Sequence, residues 1–69
     1  MKELGESINR FVLTLSERDC NMFVRRYFHA ESIKEISVNY GLSENNITVS
    51  LSRIRQKLKK HLEKEEIFF

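Results

Sequence analysis

Apolar residues recur at helical spacing along most of this 69-residue chain. Ile8, Phe11, Val12 and Leu15 stand three and four apart, which predicts a short amphipathic helix over about 6–14, within an N-terminal segment 1–14 whose first residues fray. Ser16 is placed to cap a second helix over 16–30, with Asp19 at the capping-box position. Cys20, Phe23, Val24, Tyr27 and Phe28 follow at i, i+3, i+4, i+7 and i+8, so this aromatic stripe is expected in the core. Next, Ser32 and Glu35 form a capping-box pair ahead of Ile33, Ile36 and Tyr40, and Ser37 beside Ile36 is small enough to let another helix approach closely. Gly41 supplies the left-handed backbone that ends a helix. Leu42 can fill the corner and Ser43 can cap the next helix, with Leu42 and Ile47 as a hydrophobic staple. Finally Ile47, Leu51, Ile54, Leu58 and Leu62 fall on one side of a long helix, with Ser50 at the stripe's edge.

The last two segments, 32–62, thus read as a short helix, a tight glycine-containing turn and a long helix. That is the pattern of a helix-turn-helix DNA reader. Opposite the buried stripe of the long helix lie Asn45, Thr48, Val49, Ser52, Arg53 and Gln56. A merely solvated helix face favours Glu and Lys, whereas this mixture of hydrogen-bonding groups, one apolar side chain and one cation suits base edges and phosphates. Asn45 can pair with adenine N6 and N7, and Val49 can meet a thymine methyl.

Charge sharpens the picture. Residues 45–62 hold Arg53, Arg55, Lys57, Lys59 and Lys60 and no acid, while residues 1–44 hold six basic and seven acidic side chains. The local excess on the long helix matters more to phosphates than the net charge of +2, because exposed charges act over about a Debye length. Arg53, Gln56, Lys57 and Lys60 are the phosphate-positioning candidates.

Composition bounds the rest. The length fits one small domain with a modest core, and 41% apolar with 32% charged residues is ordinary for a folded helical chain. No domain linker, internal repeat, low-complexity run or sustained strand-like alternation is visible. No run approaches the roughly 18 apolar residues of a membrane span and no signal peptide is seen, so the expected location is cytoplasmic and no membrane partner is expected. A single Asp, two distant His, one Cys and no phosphate-binding glycine loop give no acid–base pair, activated nucleophile or metal cluster. Neither an enzyme, a cofactor nor a small-molecule substrate is expected. Cys20 is read as a packing residue, and His29 and His61 as helix-end or surface histidines and not as ligands. After Leu62 the segment 63–69 turns acidic and then apolar, and Phe68 and Phe69 either fray, fold back on the core or enter a partner's groove.

The run LSERDCNMFVRRYFHAESIKEISVNYGLSENNITVSLSRIRQKLKKHL, from Leu15 to Leu62, resembles region 4 of bacterial sigma-70 family sigma factors, especially the extracytoplasmic-function types. The resemblance rests on Leu-Ser-Glu-Arg, on the apolar helix ending Arg-Tyr-Phe, on Ser-x-x-Glu-Ile followed by Gly-hydrophobic-Ser, and on the basic helix with Arg-x-Lys-Leu. It implies an all-α, four-helix domain of the winged-helix-like DNA-binding class. It further implies recognition of the promoter minus-35 element in the major groove of double-stranded DNA, docking on the β flap of RNA polymerase, and an anti-sigma factor as a further potential partner. The family's DNA-contacting positions fall here on Ser43, Glu44, Asn45, Thr48, Val49 and Ser52. Of these, Glu44, Asn45, Thr48, Val49 and Ser52 are assigned to bases and Ser43 to phosphate. Arg26 lies in the segment that crosses the DNA backbone in the family and joins the phosphate candidates. The chain departs from the family's pattern at Thr48 and Ser50, where members often carry Lys or Arg.

Two other readings share this fold: a free-standing dimeric regulator of the LuxR type, and a protein-interaction module that binds polymerase or an anti-sigma factor. Exposure of the outer face of the long helix favours DNA; its coverage favours interaction. Region 2, which sigma factors of the family also carry, is not among these residues, and the expectation is a fragment of a longer protein ahead of a stand-alone regulator.

Overall fold

The computed structural model describes residues 4–66. Among them are four helices and no strand: α1 Leu4–Val12, α2 Glu17–Tyr27, α3 Ile33–Tyr40 and α4 Glu44–Lys64. The all-α, four-helix class read from the sequence is the class observed.

The helix starts follow from their caps. The Ser16, Ser32 and Ser43 hydroxyls each accept from the backbone N–H three residues on, at 3.2, 3.1 and 3.1 Å. At Ser32 the box is complete, because the Glu35 carboxylate accepts from the Ser32 N–H at 3.2 Å. At Ser16 only the hydroxyl half forms: Asp19 has one methylene fewer than glutamate with which to reach back. Between α3 and α4, Gly41 adopts φ 65° and Leu42 N–H donates to the Ser37 carbonyl at 3.1 Å, closing a Schellman-type turn. The Ser37 hydroxyl adds a bond to the Leu42 carbonyl, so this serine clamps the turn as well as leaving room for a neighbour. The α2–α3 connection uses the same device without glycine. Ala30 sits at φ 55°, and Glu31 N–H donates to the Arg25 carbonyl at 3.0 Å.

The other three helices pack around α4. Ile47, Leu51 and Ile54 are at most 1% exposed and form the core's spine, joined by Ile36 from α3, Met22 and Phe23 from α2 and Phe11 from α1. Ile8, Val12, Leu15, Ile33, Tyr40, Leu42 and Leu58 close the edges. α1 lies along the C-terminal half of α4, where Ser7, fully buried, accepts through its carbonyl from the His61 ring at 3.0 Å. Arg10 grips the Glu65 carboxylate at 2.5 and 3.3 Å, and His61 Nε2 lies 3.1 Å from the same carboxylate. The Arg10 guanidinium holds the Glu65 carboxyl down to about 2.

Several expectations are corrected. The α2 stripe is only partly core: Phe23 is buried, Cys20 and Val24 are half-buried, and Tyr27 and Phe28 are 44% and 63% exposed. α2 ends at Tyr27, with Phe28 as its cap, so these two rings run off the packed surface, and Met22 fills the core instead. α1 already includes Leu4 and stops at Val12, where the Thr14 hydroxyl and N–H both donate to the Phe11 carbonyl. α4 runs past Leu62 to Lys64, its last turn held by Glu65. His61 is in the final turns, as expected, but as a half-buried clasp and not a free surface group. Ile67, Phe68 and Phe69 lie outside the described residues.

Candidate nucleic-acid interface

Ser43 starts α4 squarely, and Ile47, Leu51 and Ile54 pin one side of it, so the rotation of the helix about its own axis is set by the core. The opposite side is thereby committed to the exterior. Asn45, Thr48, Arg53 and Gln56 are exposed, Val49 is 40% exposed and Ser52 is half-buried. At about 100° per residue, Asn45, Val49, Ser52 and Gln56 form one stripe with Thr48 at its edge. No other described helix covers this stripe. Glu44 is also exposed, at the first turn.

Several polar groups here are already partly engaged. The Thr48 hydroxyl donates to the Glu44 carbonyl of its own helix at 2.9 Å. The Ser43 oxygen accepts its cap bond from Asn46 and keeps its own proton to donate. Arg26 is half-buried and turned into the α2–α3 connection, where Nη1 donates to the Glu31 carbonyl at 2.9 Å. It makes no hydrogen bond to a residue of α4.

The cations divide onto two flanks. Lys57, Lys60 and Lys64 rim a shallow depression floored by Phe11, Leu15 and His61, on the side of the α1–α2 connection. By helical projection Arg53 falls on the same flank, about one turn before Lys57. On it too is Arg18, whose Nη2 reaches the Ser50 hydroxyl at 3.4 Å. On the other flank Arg55 donates to the Tyr27 hydroxyl at 2.9 Å, which gives that half-exposed ring an anchoring role at the rim. Sequence reading missed Arg18 as a neighbour of α4, since it lies 32 residues from Ser50 and local periodicity carries no trace of that proximity. Arg55 was counted as charge without its partner, 28 residues away, for the same reason.

Among the described residues no group of three His, Cys, Asp or Glu side chains is placed to hold a metal ion, and no helix is long and apolar enough to cross a membrane. The geometry is that of a rigid helix presenting a mixed polar and apolar stripe between two cationic flanks.

No match to the chain was found among curated proteins or among solved structures. A protein-family model described as Sigma-70, region 4 matches residues 5–58, which takes in α1, α2, α3 and the first two thirds of α4. That family is one of helix-turn-helix DNA-binding domains of transcription and not an enzyme family. By that match over most of its length, the chain belongs to the Sigma-70 region 4 family.

Proposed function

We propose that this domain recognises a promoter minus-35 element by laying the first turns of α4 in the major groove, and that it docks on the β flap of RNA polymerase. The observation that carries the first half is the outward stripe of α4, uncovered by the other described helices and bounded by cations on both flanks. In this reading Glu44, Asn45, Thr48, Val49 and Ser52 meet base edges. Ser43, Arg53, Gln56, Lys57 and Lys60 position phosphates, and Arg26 contributes through the nitrogens it does not give to Glu31. Phosphate contacts fix register and base contacts select sequence, so the two groups have separable signatures.

The uncovered stripe favours DNA over a purely protein-binding role. The β-flap half of the proposal, and an anti-sigma factor as a further partner, rest on family membership alone. The test is selection of duplexes from a randomised pool at two salt concentrations, with the isolated flap tip titrated in parallel. One short non-palindromic motif together with flap binding is the expected result. A palindrome would replace this reading with a dimeric regulator, and flap binding without DNA preference would replace it with an interaction module.

A further inference from the structure

This inference rests on the reading of α4 as a major-groove helix and concerns which base pairs it selects. Guanine presents two acceptors, O6 and N7, and is read most strongly by a side chain that brings two donors at once, normally Arg or Lys. The first two and a half turns of α4, from Glu44 to Ser52, contain neither. What they expose is of another kind. Val49 shows 40% of its surface on the outward stripe. Thr48 has given its single hydroxyl proton to the Glu44 carbonyl at 2.9 Å, so its oxygen offers a base only lone pairs. With the hydroxyl branch turned back on the helix, the γ-methyl is the branch of Thr48 left for an outside partner. Ser50 is turned to the flank, toward Arg18. Asn45 pairs one donor with one acceptor, the complement of adenine's N6 and N7. The Glu44 carboxylate can take a cytosine amino group at one edge of the site, but it has no donor for guanine.

We propose that α4 selects a target whose central base pairs are A·T, read through thymine C5 methyl groups by the methyls of Val49 and Thr48. Two adjacent side chains then act as apolar readers, and the Thr48 hydroxyl, engaged by its own helix, takes no part in selecting the base.

The experiment uses the whole 69-residue chain and the duplex selected from the randomised pool, with each thymine in turn replaced by uracil, which removes only the methyl. Uracil at the two contacted positions weakens binding about fourfold each, the scale of burying one methylene-sized group. Val49→Ala erases the thymine–uracil difference at one position. Thr48→Ser, which keeps the hydroxyl and drops the methyl, erases it at the other, and Thr48→Val, which keeps a methyl and drops the hydroxyl, retains it. All three changes are at exposed positions, and circular dichroism verifies that the helices survive. Selection of guanine in the central pairs with indifference to uracil, or guanine selection lost in Arg53→Ala, would overturn methyl readout and leave DNA recognition standing. So would Thr48→Val behaving like Thr48→Ser. Absence of any sequence preference at either salt concentration would overturn the major-groove reading itself and this inference with it.

Discussion

Two residues in the left-handed region close two of the three connections between the helices, and they make opposite predictions. A Cβ built on Gly41 meets nothing within 4 Å, so the cost of Gly41→Ala comes from its φ of 65° and not from crowding. That cost is about 1–2 kcal/mol, and urea melts of the variant should show it as a lower midpoint with unchanged slope. Ala30 already bears the same penalty at φ 55°. Ala30→Gly should therefore raise stability, by up to about 1 kcal/mol after the added flexibility of the unfolded chain is subtracted. Both turns tie a residue just past a helix end to an earlier carbonyl, five residues back from Leu42 and six from Glu31, yet only the one before α4 was visible in the sequence. Glycine announces a positive φ; an alanine forced into one by its neighbours does not.

Among the elements, α4 carries both the core and the proposed reading surface, which makes its two faces testable apart. Leu51 is 1% exposed, and Leu51→Ala should cost about 2–5 kcal/mol, a large share of what a small domain has, seen as a collapsed thermal transition. Asn45→Ala should leave the melt within about 0.5 kcal/mol and reduce discrimination among duplexes. Lys60→Ala should weaken every duplex alike and make the salt dependence shallower by roughly one counterion. Equal losses on all sequences for both variants would disprove the division of roles. The buried face of α4 was legible because five apolar residues hold the 3.6-residue period over four turns. Tyr27 and Phe28 kept the same period on α2 and misled, because periodicity says which side of a helix faces inward but not where along its length the neighbour ends. The contacts that frame the interface, Arg18 to Ser50 and Arg55 to Tyr27, depend on how α2 crosses α4, and no local pattern encodes that.

At the scale of the whole molecule, α1 and the last turns of α4 are joined by residues 55 apart in sequence, Arg10 and Glu65. The folded Glu65 carboxyl titrates near 2 instead of its ordinary 4.5, so the stabilisation from this pair is fully present above about pH 4.5 and is lost as pH falls toward 2. Glu65→Gln should flatten the acid limb of a stability–pH curve over that window while leaving the thymine–uracil preference untouched. That independence has a geometric root. At 1.5 Å per residue the 21 residues of α4 extend about 32 Å, whereas the major groove is about 12 Å wide. In the proposed complex only the first turns lie within it, and the end clasped to α1 projects beyond the duplex like the free end of a lever. A tilt of about 10° at the docked end would then carry α1 roughly 5 Å sideways. A fluorophore at exposed Asn9 would thus report small changes in how the helix sits on different target sequences, far from any base it touches.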